Sequence, residues 1–172
     1  MSAKTSAPAG LARARAIAAS VPDPELPMLT LADLGVLREV RAEGDRLVVA
    51  LTPTYSGCPA LREMRGDLAR RLAAAGYADV EIRTVLSPAW STDWITAEGR
   101  RKLAAAGIAP PGPAPRPAAG PVPLTLTTRP APACPSCGSP DTTQTAAFSA
   151  TACRDLYRCR SCAEPFEHVK EI

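Results

Sequence analysis

Aromatic residues and histidine are scarce in this sequence. Phe, Trp and Tyr together make up 4% of the 172 residues, and His168 is the single histidine. A core with so few aromatic rings must be largely aliphatic. The sequence shows neither a Ser-His-Asp set nor a histidine near Cys58, and it has no glycine-rich nucleotide-binding loop. Nucleophilic catalysis by the chain alone would therefore lack its base.

Long apolar runs are also missing. No uncharged apolar stretch approaches about 18 residues, and the alanine-rich residues 11–20 are interrupted by Arg13 and Arg15. Neither a membrane span nor a secretory signal is indicated. We therefore expect a cytoplasmic protein that does not contact a membrane. Its six cysteines should stay reduced there, which favours metal binding over disulfides.

The length suits one ordinary domain followed by a smaller one. Residues 110–132 contain nine prolines, a composition typical of a stiff linker. We predict a disordered arm at 1–10, an α/β domain at 11–109, a proline-rich linker at 110–132 and a zinc ribbon at 133–172.

Hydrophobic periodicity predicts an α/β (α+β) domain in the first part of the chain. The strand at 80–85 follows a helix that crosses over from the strand at 46–51, so we expect these two strands to be parallel. The predicted fold is a small three-stranded mixed sheet with packed helices, followed by a small C-terminal four-cysteine zinc ribbon. The predicted helices cover residues 11–19, 59–75 and 97–106, and the predicted strands cover 36–41, 46–51 and 80–85.

A lone cysteine follows the central predicted strand. Pro59 suits the first position of a helix and Gly57 permits a sharp approach, which places Cys58 at the N-cap. A thiol there lies at the positive end of the helix dipole, which favours a thiolate for nucleophilic attack or metal binding. A small buried cap is the alternative interpretation. Thr54, Ser56 and Gly57 complete this loop.

Two further segments are candidates for the same site. Asp23 and Glu25 lie in a stiff stretch with three prolines, although a solvated acidic turn would have the same composition. The loop after the last predicted strand carries Trp90, Asp93 and Trp94. It can lie beside Cys58 at one end of the sheet, but core packing is the preferred role for at least one tryptophan.

Two C-x-x-C pairs predict a metal site near the end of the chain. A two-residue spacer lets both sulfurs of a pair face one centre, and four thiolates complete a tetrahedron. We expect structural Zn²⁺, with a single iron as in rubredoxin as the alternative. Cys153 is expected to be a buried structural cysteine or a spare ligand, and His168 to be exposed rather than a ligand. The four predicted ligands are Cys134, Cys137, Cys159 and Cys162.

The acidic segment 23–27, the cysteine loop 52–60 and the tryptophan loop 88–94 together resemble the iron-sulfur cluster assembly domain family, over roughly residues 11–110. When the segments 134–139, 149–154 and 159–166 are added, the whole chain is similar to the D-subunit family of phenylacetyl-CoA ring epoxidase systems. The long proline-rich linker departs from that pattern, and so does His168, where an aromatic residue is expected.

The resemblance implies an accessory, non-enzymatic role beside a bacterial multicomponent oxygenase that forms the ring 1,2-epoxide of phenylacetyl-CoA. It also implies assistance in assembling an iron-sulfur centre of the reductase or the di-iron centre of the oxygenase. These components would be the partners, and a homodimer is left open. The family's cysteine falls on Cys58 and its acidic motif on Asp23 and Glu25, which would hold iron or a cluster transiently.

Two other functions remain as alternatives. In the first, the chain is purely a structural scaffold of the oxygenase complex and the Cys58 loop is a docking surface. In the second, the ribbon binds nucleic acid, which calls for a basic face with stacking aromatic side chains. Residues 130–172 contain four basic and five acidic residues and three aromatic ones, so the sequence disfavours a nucleic-acid partner.

Overall fold

The structure is a computed structural model that describes residues 7–114 and 130–172, with side chains described from residue 10 onward. Most of the arm predicted at 1–10 and the middle of the linker predicted at 110–132 lie outside the described residues. The chain divides into two compact units. Among the described residues, the first unit contains 7–90 and 94–99, and the second contains 91–93, 100–114 and 130–172.

The first unit is built on a three-stranded mixed sheet in the order β1-β2-β3. β1 and β2 form an antiparallel hairpin that turns at Gly44, whose φ of +62° suits a residue without a side chain. β2 and β3 are parallel, from Leu47 opposite Val80 to Leu51 opposite Thr84. The predicted fold class and the predicted parallel pair are confirmed. The elements are α1 (Ala7–Ala19), β1 (Leu37–Glu43), β2 (Arg46–Leu51), α2 (Ala60–Ala74) and β3 (Val80–Thr84).

The core of this unit is aliphatic, as the composition requires. Every residue of β2 after Arg46 is buried, because the strand lies between two others. The buried face of α2 consists of Ala60, Met64, Leu68 and Leu72, which recur at four-residue steps. Helix α2, which contacts β3 and α1, therefore contributes one apolar stripe to the core.

The second unit is organised around a four-stranded sheet in the order β4-β7-β6-β5. β4 is parallel to β7, with Ile108 opposite Glu167, whereas the other pairs are antiparallel. A two-residue strand has no periodicity, so the sequence did not predict β4. The elements named after β3 are α3 (Ala97–Ala105), β4 (Ile108–Ala109), β5 (Thr142–Ala146), β6 (Arg154–Cys159) and β7 (Pro165–Val169).

His168 is buried in the second unit, and the prediction that it is exposed was wrong. Its side chain is 4% exposed because β7 turns alternate residues inward, Phe166 and His168 among them. Its Nδ1 lies 2.9 Å from Oδ1 of Asp155, and its Nε2 lies 3.3 Å from Oε1 of Glu171. Two carboxylates therefore supply the hydrogen-bond partners that a buried imidazole needs.

Candidate metal centre and cysteine loop

The Cys58 loop joins the end of β2 to the start of α2. The helix begins at Ala60, with Pro59 as its N-cap at φ −65° and ψ −30°, so Cys58 lies one residue earlier than predicted. Pro59 already has helical dihedral angles, and the carbonyl of Cys58 accepts a hydrogen bond from the N–H of Leu61 at 3.3 Å. Cys58 therefore stands directly ahead of the first helical turn.

The loop is tight and partly accessible to solvent. The N–H of Cys58 donates to the carbonyl of Tyr55 at 3.2 Å. Thr54 and Cys58 are half-buried, whereas Ser56 and Gly57 are exposed. The thiol is thus carried on a turn with a defined backbone, at a place that a partner molecule can reach.

The loop after β3 leaves the sheet at the same end of the strands as the Cys58 loop. Leu51 and Thr84 are opposite each other at the ends of the parallel pair, and the N–H of Val85 donates to the carbonyl of Leu51 at 2.8 Å. Arg65 of α2 donates from Nη1 to the hydroxyl of Thr84 at 3.0 Å. Leu86, which follows, is 59% exposed. This end of the sheet therefore presents both the thiol of Cys58 and the exposed apolar side chain of Leu86.

The acidic segment behaves as a structural turn at its first carboxylate. Asp23 is buried, and its Oδ1 accepts hydrogen bonds from the N–H groups of Glu25 at 2.9 Å and Leu26 at 2.8 Å. Glu25 is exposed. Asp23 thus shapes the turn that presents Glu25 to solvent.

Within the part of the chain that the structure describes, one group contains three or more His, Cys, Asp or Glu side chains whose ligand atoms lie within 4.8 Å of one another, and it is the four-cysteine group. Asp23, Glu25 and Cys58 are not brought together in this way. Their functional roles stay predictions.

The two tryptophans occupy different environments. Trp90 is 5% exposed, and its Nε1 donates to the carbonyl of Leu34 at 2.9 Å. Trp94 is half-buried, and the guanidinium of Arg38 lies over its ring, 3.7 Å from the centroid. Asp93 is exposed. Trp90 therefore packs in the core, which is the interpretation preferred for at least one tryptophan.

The four predicted metal ligands converge in the second unit. Their sulfur atoms all lie within 4.8 Å of one another. Sγ of Cys134 lies 3.7 Å from that of Cys162, and Sγ of Cys137 lies 3.6 Å from that of Cys159. A tetrahedral site with metal–sulfur bonds of about 2.3 Å needs sulfurs about 3.8 Å apart. The residues therefore fit a four-thiolate metal centre.

Each knuckle ends in a residue with left-handed backbone. Gly138 follows Cys137 with φ +74°, and Ala163 follows Cys162 with φ +63°. Backbone N–H groups lie near the sulfurs: the N–H of Cys162 donates to Sγ of Cys159 at 3.5 Å, and against the effect of burial the N–H groups of Cys137 and Ser136 lower the pKa of Cys134. The backbone itself is thus arranged to hold negatively charged sulfur.

The thiols differ in their affinity for protons. The N–H of Cys162 is the main influence on Cys159, and it lowers the pKa of that thiol to about 6 against the opposing effect of burial. The N–H of Glu164 favours the Cys162 thiolate, but the neighbouring sulfurs of Cys137 and Cys159 outweigh it and raise the pKa of Cys162 to about 12. Four negative sulfurs this close repel one another, and a bound cation would offset that repulsion.

Comparison with known proteins connects both halves of the chain to one family. A putative D-subunit of 1,2-phenylacetyl-CoA epoxidase from Escherichia coli (strain K12) is 41% identical over 157 residues, which cover 91% of this chain and 90% of that protein. The chain belongs to this D-subunit family. The prediction from the sequence motifs is confirmed.

Two family models match separate parts of this D-subunit family member. Residues 12–84 match the iron-sulfur cluster assembly protein family, and residues 118–170 match the PaaD zinc beta ribbon domain. A crystal structure of the domain of unknown function DUF59 from Bacillus anthracis is similar with a TM-score of 0.51 and 25% identity, covering 56% of this chain and 92% of that one. The first unit thus has the fold of the assembly family.

Some features of this family member were missed in the sequence. Gly138 after the first knuckle was a signal for a left-handed turn, but Ala163 at the matching position gave none. The pairing of His168 with Asp155 joins two strands and has no local signature. No helix within residues 7–114 or 130–172 combines the length and the apolar character needed to cross a membrane.

Proposed function

We propose that the chain is a non-catalytic accessory or maturation component of a phenylacetyl-CoA 1,2-epoxidase in aerobic phenylacetate degradation. The observation that carries the proposal is the 41% identity to a D-subunit relative across 91% of the chain. An identity that spans both the assembly-type domain and the ribbon supports the same combined role, since either domain alone occurs in many contexts.

The proposed work is the assembly of an iron-sulfur or di-iron centre in an oxygenase or reductase component, with Cys58 as the transfer ligand. Cys58 is half-buried and precedes α2, so it lies near the positive end of the helix dipole. Such a position favours the thiolate form of Cys58, which is the form that binds iron. One thiolate, helped at most by the exposed carboxylate of Glu25, binds iron weakly enough to release it to a client.

The four-cysteine centre has a different proposed role. Four thiolates that complete a tetrahedron leave no open position for a substrate. We expect Zn²⁺ there as a structural metal, and the ribbon family match supports that metal over iron. The centre would hold the second unit together and would not transfer its ion.

An independent enzyme is disfavoured by the position of the only histidine. The imidazole of His168 is buried between Asp155 and Glu171 in the second unit. It is committed to that network and is not available as a general base for a thiol. Accessory action on another component is therefore the better-supported role for Cys58.

The test uses a host that carries the other epoxidase components but lacks its own D-subunit. It would express the intact chain, Cys58→Ala or the control Cys153→Ala, which changes a half-buried thiol outside the four-cysteine centre. We expect Cys58→Ala to lower both epoxide formation and the iron content of the purified oxygenase or reductase at least tenfold. Cys153→Ala should leave both near the level of the intact chain.

A purely structural scaffold is the second candidate, and the internal hydrogen bonds of Asp23 favour it. A scaffold needs a shaped surface and no metal-transfer ligand. If Cys58→Ala supports full activity and full iron content while deletion of the chain abolishes complex formation, the scaffold is correct and transfer through Cys58 is excluded. Anaerobic reconstitution adds a direct measure: the intact chain should acquire iron and sulfide beyond the ribbon metal, and Cys58→Ala should not.

A further inference from the structure

The two knuckles of the four-cysteine centre are joined by a pair of serine side chains. Oγ of Ser139 lies 2.7 Å from Oγ of Ser161. The N–H of Asp141 donates to Oγ of Ser139 at 3.2 Å. Either hydroxyl can donate to the other, because each has one proton and two acceptor lone pairs. The side chains thus connect residues that are far apart in sequence.

Backbone hydrogen bonds connect the surroundings of each serine to a cysteine of its own knuckle. The carbonyl of Ser139 accepts a hydrogen bond from the N–H of Cys134 at 2.9 Å, and the N–H of Cys162, which follows Ser161, donates to Sγ of Cys159 at 3.5 Å. The hydroxyl–hydroxyl bond therefore links the two knuckles beside their cysteines. It adds to a backbone link in which the N–H of Arg160 donates to the carbonyl of Asp141 at 2.9 Å.

The pair belongs to the solvent-accessible part of the centre. Cys137 and Cys162 are exposed, whereas Cys134 and Cys159 are buried. Ser161 directly precedes the exposed cysteine of its knuckle. Water, protons and chelators reach an exposed sulfur first, so the opening of the centre starts with the residues that the serines hold.

We propose that Ser139 and Ser161 are a positioning pair that latches the two knuckles together and slows loss of the bound metal. Neither hydroxyl is a ligand. The pair acts through the backbone of the two serines, which keeps the four sulfurs at their mutual distances. Partners of this kind, outside the ligand set, commonly tune metal affinity.

The experiment uses the full chain loaded with Zn²⁺ and measures the rate of metal release to excess EDTA with a colorimetric zinc indicator. The variants are Ser139→Ala, Ser161→Ala, their double variant, and Ser139→Thr and Ser161→Thr, which retain a hydroxyl. Ser136→Ala is the matched control, because it removes an exposed hydroxyl within the first knuckle and retains the backbone N–H that influences Cys134. Its hydroxyl is not part of the pair.

We expect each single alanine variant to release Zn²⁺ about three- to tenfold faster, the range of a lost neutral hydrogen bond. The double variant should release it no faster than the singles, because both changes remove the same interaction. The threonine variants should stay within about twofold of the intact chain, as should Ser136→Ala.

Three results would overturn the proposal. The first is alanine variants that behave like Ser136→Ala, and the second is a double variant whose acceleration is the product of the singles. The third concerns folding: if an alanine variant cannot retain Zn²⁺ at all, its threonine counterpart must retain it, and joint failure of both would show that the hydroxyl is not what matters.

Discussion

The two units are stabilised by different kinds of interaction. The first buries an aliphatic core to which β2 and the apolar stripe of α2 both contribute. The second has a small cluster of Ala109, Cys134, Cys159 and Phe166, with Tyr157 packed against it. Two of those five residues are predicted metal ligands. A small apolar cluster contributes little, so the metal must supply what burial cannot.

The buried polar groups show the same contrast. In the first unit, Asp33 accepts hydrogen bonds from the N–H and the hydroxyl of Thr30, both at 2.9 Å and three residues away. In the second unit, Arg154 is buried and pairs with Glu167, which lies on the neighbouring strand. Local bonds shape turns, whereas bonds between strands hold a sheet together. Asp33 thus stabilises a turn in the first unit, whereas Arg154 and Glu167 link two strands of the second.

The largest expected effect is that of metal loss, which should separate the two units. Cys159→Ser, or chelation of the intact chain, removes a contribution on the order of ten kcal/mol. We expect the second unit to lose protection in amide hydrogen exchange while β2 and α2 keep theirs. Cys153→Ser is the control and should retain one metal ion. Equal loss of protection in both units would show that the contrast is wrong.

The next largest effect is the pH dependence of Zn²⁺ affinity. Protons compete with the metal for thiolates, so affinity must rise with pH. If the metal-free second unit is unfolded, its four thiols have ordinary pKa values and are almost fully protonated at pH 6 to 7.5. Binding of Zn²⁺ then releases nearly four protons, so the affinity for Zn²⁺ should rise about 10⁴-fold per pH unit. Competition titration with a chelator of known affinity measures this slope.

A slope of three or less would instead show that the second unit keeps its shape without metal. In that shape the pKa of Cys159 is about 6 and that of Cys134 is also lowered, while those of Cys137 and Cys162 are raised. Cys159 would then already be charged near neutral pH, and the metal would displace at most the three remaining protons.

The aliphatic core should respond to truncation but not to chelators. Leu68 is fully buried, so Leu68→Ala should destabilise the first unit by about 4 kcal/mol through lost burial and the cavity left behind. Leu86→Ala makes the same change at a side chain that is 59% exposed, and it should cost less than about 0.5 kcal/mol. Urea unfolding with and without EDTA measures both, and EDTA dependence of the Leu68 effect would contradict the comparison.

A smaller effect should come from close packing at Gly35 in the first unit. Its φ is +68°, and an added Cβ would lie 2.6 Å from Cβ of Trp94. Gly35→Ala should therefore cost about 3 kcal/mol, from backbone strain and overpacking together. Gly44 has φ +62° with open space around it, so Gly44→Ala should cost about 1 kcal/mol. Thermal unfolding of the two variants measures the additional cost of the Trp94 contact. Equal losses of stability would show that Trp94 moves aside at little cost.

Local patterns predicted most of the first unit. A continuous apolar run identified the fully buried β2, alternation identified β3, and a helical spacing of apolar residues identified α2. Spacing also identified the four cysteines, since a C-x-x-C turn carries its geometry within a few residues. These features are encoded close to where they appear.

Features that depend on distant partners could not be predicted in this way. β4 is a strand only because β7 accepts it, and His168 is buried only because Asp155 lies opposite on β6. The hydrogen bonds that Asp23 accepts from the backbone of its own turn could not be predicted either, because the same residues suit a solvated turn. The transfer role of Cys58 remains a prediction, since the position of a thiol does not reveal what it carries.

The pairing of β4 with β7 also bears on how the chain folds during synthesis. All three strands of the first sheet precede β4, so that sheet can form while the remainder is still being made. Ile108 can pair only after Glu167, which lies in β7, has been synthesised. A ribosome stalled before β7 should therefore display a finished first sheet followed by an unpaired strand and cysteines awaiting their metal.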